Sequence, residues 1–216
     1  MESKILILRH GITEGNKNKW FYGKTDLPLI QEGIEALEKQ KAEGLYPEIP
    51  EDALCFTTGL GRTAETFRVL FGDRDFEKIK DLREIEFGVC ECKNFDELKD
   101  NPHFNAWTYD ETGDYVIPGG ESRNQFKARV ACGWKYLLER HNALTEKLAE
   151  KKEAPGTAMT VAVCHGGVIA EILNSLFPTE KGSVWDWMPQ PGCGYIMDVV
   201  DGEVRNPCLL GEVTIY

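Results

Sequence analysis

The sequence predicts a three-layer α/β protein, in which helices cover both faces of a mostly parallel central sheet. Two apolar runs, residues 5–8 and 160–164, have the length and composition of buried strands. Each run ends in polar residues and glycine, and segments with helical spacing of apolar residues lie between the strands. A chain of 216 residues can bury a sizeable core and fits one domain more readily than two.

The other elements follow from the same signals of spacing and punctuation. Helices are predicted over residues 30–43, from 61 to Gly72, and over 95–99, 122–151 (ended by Ala154-Pro155-Gly156) and 168–177. Further strands are predicted over residues 53–57, 194–200, 203–207 and 213–216, with a short extended piece at 78–82. The pattern is broken from 94 to 118, which predicts a cap-like insertion within a single domain over 1–216.

Charge and cysteine usage exclude several classes of function. The formal net charge of -11 argues against a protein that binds nucleic acid or anionic lipid. The N-terminus lacks the features of a signal peptide, so we expect a cytoplasmic protein without a membrane anchor. The seven scattered cysteines are then expected to be thiols, and the pair Cys90 and Cys92 lacks the companions of a zinc site.

Two predicted strands deliver a histidine to the same kind of position. Arg9-His10-Gly11 follows the first strand, and His165-Gly166-Gly167 follows the strand that ends at Cys164. Ligands of open α/β sheets bind at the carboxyl ends of strands, and the helix start after His165 offers N–H donors to an anion. The alternative is a pair of unrelated polar strand ends. His103 and His141 have ordinary explanations, in a polar loop and on a charged helix.

Further polar residues would complete an anion pocket around these histidines. Arg62 lies in the first turn of a predicted helix, where a cation opposes the helix dipole unless it faces an anion. A solvated Arg62 is the alternative. Glu84, Glu86 and Glu91 lie among apolar residues, where a carboxyl group is suited to general acid catalysis. The alternative is a set of surface salt bridges with Arg83 and Lys93.

These motifs resemble those of the histidine phosphatase superfamily, which includes phosphoglycerate mutase. Residues 9–16 fit the family signature Arg-His-Gly-x-Thr-x-x-Asn at every defined position. The later segments that resemble family motifs are Gly23 with residues 26–29 and Gly33, residues 58–66, residues 82–88 with Glu91, residues 118–122 and residues 165–167. The resemblance covers nearly the whole chain and implies a phosphoglycerate mutase-like fold.

The resemblance also implies a role for each matching residue. His10 would be the nucleophile that forms a phosphohistidine, so its other ring nitrogen is expected to contact a hydrogen-bond acceptor. Glu84 would protonate the leaving oxygen and then activate water, although Glu86 and Glu91 remain rivals. The residues implied to hold the phosphoryl group are Arg9, Arg62, His165, Asn16, Gly23 and the backbone N–H of Gly166. No metal or cofactor is expected, because the arginines supply the positive charge.

Several positions depart from the family pattern. Thr58 and Gly59 stand where Ser and Pro are usual, Cys92 replaces a Gly, and Cys164 replaces a Ser or Thr. None of these changes removes a charged catalytic group. Thr58, Gly61 and Cys164 are expected to alter the shape of the pocket.

The insertion favours a phosphatase over a mutase. Residues 94–118 contain no arginine, whereas the mutase branch carries paired arginines there to hold a bisphosphorylated acid. The aromatic residues Trp20, Phe21, Trp107 and Tyr109 favour a small phosphorylated substrate with an apolar or ring-containing group. We therefore expect a phosphomonoesterase, similar to alpha-ribazole phosphatase or broad-specificity phosphatases, that acts as a monomer or homodimer. The alternatives are a cofactor-dependent phosphoglycerate mutase and a non-catalytic phosphate-binding regulatory protein.

Overall fold

The computed structural model describes residues 2–150, 157–178 and 180–211. The predicted helix end at 154–156 and the edge segment at 213–216 lie outside these ranges. The strands are β1 (Glu2–Arg9), β2 (Leu54–Thr57), β3 (Glu77–Lys78), β4 (Thr157–Cys164), β5 (Gly194–Val200) and β6 (Glu203–Leu210). The α-helices are α1 (Glu14–Lys17), α2 (Gln31–Ala42), α3 (Gly61–Phe71), α4 (Phe95–Leu98), α5 (Pro102–Tyr109), α6 (Arg123–Glu150) and α7 (Gly166–Leu176).

Within these described ranges, six strands form a sheet in the order β3-β2-β4-β1-β5-β6. β1, β2, β3 and β4 are parallel, and β5 and β6 are antiparallel to their neighbours. Arg9 pairs with Cys164 in the β1–β4 register. The residues that follow, His10 and His165, therefore leave the sheet side by side at its carboxyl edge. The predicted α/β class with a mostly parallel sheet is confirmed.

Alternate side chains of β1 enter different cores on the two faces of the sheet. Ile5 and Ile7 belong to a buried cluster that includes residues of α6 and α7. Leu6 and Leu8 belong to a second cluster with residues of α2 and α3. Because all four side chains are almost fully buried, β1 is a continuous apolar run, as its sequence predicted.

Some element boundaries differ from the prediction for local reasons. β4 begins three residues before the predicted Thr160, and the helix predicted from residue 168 begins at Gly166, directly after His165. The extended piece predicted at 78–82 is a two-residue strand followed by a 3-10 turn at Lys80–Leu82. α5 was missed, although Asn101 caps it through its side chain and Pro102 occupies its first turn.

The segment predicted as a cap carries α4 and α5. The ring of Phe104 in α5 packs against that of Phe21 with centroids 5.0 Å apart, and the Trp107 ring lies 5.7 Å from that of Phe87. These rings belong to the same buried cluster as Ile5, so the insertion packs on the face of the sheet that α6 and α7 cover. The assignment of one domain with an insertion stays a prediction. None of the helices in the described ranges is long and apolar enough to cross a membrane.

Candidate active site

His10 is held at the end of β1 with one ring nitrogen fixed. Its Nδ1 lies 2.7 Å from the carbonyl oxygen of Gly11, and because a carbonyl only accepts, Nδ1 carries the proton. The lone pair is therefore on Nε2. The side chain is only 3% exposed. Burial lowers the pKa of His10 well below its usual range, Arg62 and Arg9 lower it further, and the bond to Gly11 opposes them. The imidazole is neutral, and the expected acceptor at its second nitrogen is present.

His165 lies beside His10, with ring centroids 5.2 Å apart. Its Nε2 is 3.0 Å from the Thr58 hydroxyl, and its buried Nδ1 has no hydrogen-bond partner among the described residues. Burial lowers the pKa of His165 well below its usual range, with Arg62 as the next cause. The sequence pattern marked Thr58 only as a departure from the family, and its contact with His165 was not foreseen.

Arg9 reaches from the end of β1 toward the start of α7. Its Nη1 donates to the carbonyl of Pro189 at 2.8 Å, while its buried Nε is unpaired within the described ranges. A Cβ atom on Gly166 would lie 3.0 Å from the Arg9 guanidinium carbon, so glycine permits this close approach. Burial lowers the pKa of Arg9, and the nearby Glu84 opposes that effect. The guanidinium is thus held next to the first N–H groups of α7.

Arg62 is fully buried, which excludes the alternative of a solvated side chain. Its Nη1 donates to the Thr25 carbonyl at 2.8 Å and its Nη2 to the Gly23 carbonyl at 2.9 Å. Its guanidinium carbon lies 5.0 Å from the centre of the Tyr22 ring, and Asp26 is 3.5 Å from Nη1. Its Nε is buried without a partner in the part of the chain that the structure describes. The turn at residues 22–26 therefore determines where this charge lies.

The three rival carboxylates occupy different environments. Glu84 extends toward the start of α7, where its Oε2 accepts from the Gly167 N–H at 2.9 Å. A Cβ atom on Gly167 would lie 2.5 Å from Oε1 of Glu84, so any other residue here would displace the carboxyl group. Glu86 is partly exposed, with Lys24 at 3.8 Å. Among the three, Glu84 is the carboxylate that contacts the helix following His165.

Glu91 is an acceptor for the backbone of a neighbouring turn. Its oxygens accept from the N–H groups of Gly23, Lys24 and Thr25 at 2.8–2.9 Å. A fourth N–H, that of Phe87, lies 3.2 Å away. Burial favours the neutral carboxyl, but the hydrogen bonds outweigh it and lower the pKa of Glu91. An ionised carboxylate that is saturated with donors is unsuited to give up a proton.

Asn16 and Gly23 take part in the loop that surrounds these groups. Asn16 Oδ1 accepts from the Thr13 N–H at 2.9 Å, from its hydroxyl at 3.0 Å and from the Tyr22 hydroxyl at 3.1 Å. A Cβ atom on Gly23 would lie 1.7 Å from the Ile85 carbonyl oxygen, so the turn packs directly on the segment that carries Glu84. Both residues fix the walls of the site, and a direct contact with phosphate stays a prediction.

The aromatic residues predicted to favour a ring-containing substrate do not share one surface. Phe21 and Trp107 pack into the core cluster beneath the insertion, and Trp107 is buried. Tyr109 is 74% exposed at the end of α5. Phe21 and Trp107 thus fill the interior of the cap and Tyr109 lies at the surface, so the preference for a ring-containing substrate stays a prediction that these three side chains do not support.

Arg129 is a residue of this region that the sequence did not reveal. From α6 it donates to the carbonyls of Arg83 and Glu84 and forms an ion pair with Glu121. In the sequence it is one cation among several on a long helix, so local spacing could not single it out. The backbone carbonyls that it binds lie more than forty positions away in the chain.

All seven cysteines are free thiols. Across the described ranges, no group of three or more His, Cys, Asp or Glu side chains could hold a metal ion. The candidate catalytic side chains that meet at the carboxyl edge are those of His10, His165, Arg9, Arg62 and Glu84.

Comparisons with known proteins agree with this geometry. The model of the histidine phosphatase superfamily (branch 1) matches residues 5–206. The adenosylcobalamin/alpha-ribazole phosphatase of Escherichia coli K12 is 26% identical over 201 residues, which cover 91% of this chain and 90% of the relative. A probable phosphoglycerate mutase GpmB of Enterobacter sp. strain 638 is 30% identical, over 80% of this chain and 74% of its own.

Solved structures share the fold across almost the whole chain. The alpha-ribazole phosphatase of Shigella flexneri has a TM-score of 0.70 at 25% identity and covers 96% of this chain and 95% of its own. A phosphoglycerate mutase of Thermus thermophilus has a TM-score of 0.61 at 27% identity, over 98% and 99%. The phosphoglycerate mutase-like fold is confirmed.

A neutral histidine beside two arginines, on this fold, is typical of enzymes that act on phosphate esters. This chain belongs to the histidine phosphatase superfamily, branch 1. Membership of this family and the similarity to an alpha-ribazole phosphatase support an enzyme of the phosphoric monoester hydrolase class.

Proposed function

We propose that this protein hydrolyses a small phosphorylated metabolite through a phosphohistidine on Nε2 of His10. The observation that carries the proposal is the 2.7 Å contact between His10 Nδ1 and the Gly11 carbonyl, which leaves the Nε2 lone pair available. A buried, neutral imidazole is a competent nucleophile because no proton blocks the attacking nitrogen.

The phosphoryl group would be held by Arg9, Arg62 and His165. Each of these side chains has a buried nitrogen without a hydrogen-bond partner in the described structure. A buried donor without a partner costs about 1–3 kcal/mol, so phosphoryl oxygens that accept from the two arginine Nε atoms would remove an existing penalty. Nδ1 of His165 is a further donor in the tautomer whose Nε2 accepts from the Thr58 hydroxyl. The charge that develops on the equatorial oxygens would also be stabilised by the two guanidinium groups. Asn16, Gly23 and the N–H of Gly166 would complete the pocket.

Glu84 would transfer the proton in both steps. In the first step, Nε2 of His10 attacks phosphorus, the P–O ester bond breaks, and the protonated Glu84 carboxyl gives its proton to the leaving oxygen. In the second step, Glu84 accepts a proton from water, whose oxygen attacks phosphorus. The bond between phosphorus and Nε2 breaks, which releases neutral His10 and inorganic phosphate. The contact of Glu84 with Gly167 N–H supports this role, because it places the carboxylate against the helix that begins after His165.

Two observations support hydrolysis over mutase chemistry. Residues 94–118 contain no arginine that could hold a second phosphate group. The match to the Escherichia coli relative covers 90% of that protein, which is named as a phosphatase. The Enterobacter relative is 30% identical but is named as a probable mutase. Phosphoglycerate mutase therefore remains the second candidate function.

Release of phosphate from p-nitrophenyl phosphate tests the proposal. We expect turnover by the parent and a loss of about a thousandfold or more in His10→Ala, as expected when a covalent nucleophile is removed. His103→Ala is the matched control, since His103 lies in α5 and contacts Tyr115. A base-stable, acid-labile phosphoryl group on His10 should be found by mass spectrometry after a rapid quench.

A panel of phosphorylated metabolites identifies the reaction type. Phosphate release from alpha-ribazole phosphate or other monoesters supports the hydrolase. Rapid interconversion of 2- and 3-phosphoglycerate with negligible phosphate release would overturn it in favour of the mutase. Absence of phosphohistidine with every ester tested would indicate a phosphate-binding protein without catalysis.

A further inference from the structure

We propose that Arg129, paired with Glu121, is a positioning residue that aims the Glu84 carboxyl group at the leaving oxygen. The inference rests on the proposed role of Glu84 as general acid. Arg129 itself is not proposed to touch the substrate. It acts by fixing the backbone from which Glu84 projects.

The contacts of Arg129 surround the Glu84 backbone. Its Nη1 donates to the Arg83 carbonyl at 2.6 Å and to the Asp81 carbonyl at 2.9 Å, and its Nη2 donates to the Glu84 carbonyl at 2.9 Å. The Arg83 and Glu84 carbonyls belong to the two peptide groups on either side of the Glu84 Cα atom. Fixing both peptide planes fixes the direction of the Cα–Cβ bond, and hence the direction in which the carboxyl group extends.

Glu121 binds both the Arg129 side chain and the backbone of Glu86. Arg129 Nε donates to Glu121 Oε2 at 2.9 Å, and Nη2 donates to Oε1. The same Oε1 accepts from the Glu86 N–H at 2.9 Å, and the Glu121 N–H donates to the Glu86 carbonyl at 3.0 Å. The pair therefore holds the chain on both sides of Ile85, with side chains that are only 22% and 13% exposed.

The Glu84 carboxylate has few other restraints. Its Oε1 accepts from the N–H of the next residue, Ile85, at 3.0 Å, and its Oε2 accepts from Gly167. The first of these partners moves with the backbone that Arg129 fixes. A planar guanidinium can donate to several acceptors in one fixed arrangement, whereas a lysine ammonium is a single point charge. A lysine at position 129 would keep the positive charge but could not make the same set of hydrogen bonds. The position of the Glu84 carboxyl group therefore depends on arginine.

Two substrates with different leaving groups separate positioning from general stability. 2,4-Dinitrophenol is an acidic alcohol and leaves without a proton, whereas phenol leaves readily only when a general acid protonates it. The ratio of kcat/KM for 2,4-dinitrophenyl phosphate to that for phenyl phosphate reports general acid catalysis, because kcat/KM covers the steps through formation of the phosphohistidine. A defect that only lowers the folded fraction reduces both values equally and leaves the ratio unchanged.

The variants are Arg129→Met, Arg129→Lys and Glu121→Gln, with Glu84→Gln as the benchmark for loss of the acid. Arg140→Met is the matched control, because Arg140 lies on the same helix and pairs with Glu77 at the surface. We expect Arg129→Met to raise the ratio by about tenfold or more, a part of the 10²–10⁴-fold that general acid catalysis supplies. Arg129→Lys should recover only a fraction of the loss, and Glu121→Gln should change the ratio in the same direction.

The outcomes distinguish this inference from the proposed function. If Glu84→Gln raises the ratio but Arg129→Met and Glu121→Gln lose both activities equally, the positioning role is wrong and the acid role of Glu84 stands. If Glu84→Gln itself leaves the ratio unchanged, Glu84 is not the acid and the inference fails with that part of the proposed function. A raised ratio in both Arg129→Met and Glu121→Gln, with Arg140→Met unchanged, supports the inference.

Discussion

At the scale of single residues, three buried histidines differ in what their rings contact. His10 and His165 each lie beside Arg62 and Arg9, whose charges help to lower the pKa of both histidines. His141 lies at the opposite end of the sheet, where Nε2 contacts the Ser3 hydroxyl at 2.8 Å and Nδ1 contacts the Thr160 hydroxyl at 2.9 Å. His141 lies on a charged helix, α6, as the sequence indicated, but no sequence pattern showed that its side chain is fully buried.

His141 should make stability depend on pH. Burial lowers the pKa of His141 from 6.5 to about 4. Below pH 6.5 the unfolded chain gains a proton there that the folded protein does not, so the free energy of unfolding falls as the pH drops toward 4. From about pH 7 to pH 5 this residue should account for a loss of about 2 kcal/mol. Urea unfolding of the parent and of His141→Gln, which keeps hydrogen-bonding groups, measures the difference.

The comparison with His141→Gln cancels the other groups that titrate in this range, including His10 and His165. His103→Gln is a control in which the partly buried cap histidine is changed instead. Parallel loss of stability in the parent and in His141→Gln between these pH values would contradict the prediction.

At the scale of elements, two loops position each other around the catalytic groups. The turn at residues 22–26 provides the carbonyls that hold Arg62, and the segment at residues 84–91 carries Glu84. Gly23 packs on the Ile85 carbonyl, and Glu91 binds the backbone N–H groups of the turn. Neither loop has regular secondary structure over most of its length, so side chain to backbone hydrogen bonds define their shapes.

Replacement of Glu91 by glutamine should disturb both loops. The glutamine amide is uncharged, and its NH₂ group would face backbone N–H groups that need an acceptor. We therefore expect the free energy of unfolding to fall by about 1–3 kcal/mol. Activity should fall because the carbonyls that hold Arg62 shift. The loss should be equal for phenyl phosphate and 2,4-dinitrophenyl phosphate, since Glu91 is not the proposed acid. Chemical unfolding and steady-state kinetics provide these measurements.

Glu86→Gln is the matched control for this variant. Glu86 lies in the same segment and is partly exposed, with Lys24 at 3.8 Å, so its replacement should change stability by less than about 0.5 kcal/mol. A selective loss with phenyl phosphate in Glu91→Gln, or in Glu86→Gln, would instead identify that residue as the acid.

At the scale of the whole molecule, the sequence predicted what depends on local patterns. Continuous apolar runs predicted β1 and the core of β4, and the His-Gly steps after them predicted which residues meet at the sheet edge. The register that pairs Arg9 with Cys164 then brings His10 and His165 together. The roles of Arg129 and of the ring of Trp107 depend on distant partners, which no local pattern records. α5 was missed because its residues show no amphipathic stripe long enough to compete with the broken pattern around them.

The whole molecule must also bind an anion against its own charge. The chain carries a formal net charge of -11, yet Arg9 and Arg62 place two positive charges at one buried edge of the sheet. Burial lowers the pKa of both arginines, which means that the folded protein holds these charges at a cost in free energy. An anion that binds between them lowers this cost, and the unfolded chain gains nothing from it.

Inorganic phosphate should therefore stabilise the fold. At ten times its Kd, a ligand specific for the native state raises the free energy of unfolding by about 1.4 kcal/mol. For a chain of this size that corresponds to an increase in Tm of about 3–6 °C. Thermal unfolding with phosphate should show this increase relative to potassium chloride at the same ionic strength. Arg62→Met should abolish it, and Arg140→Met, whose charge lies on the surface of α6, should retain it. An equal increase in Arg62→Met, or in chloride alone, would show that phosphate acts on the surface of the molecule and not at the edge where His10 and His165 meet.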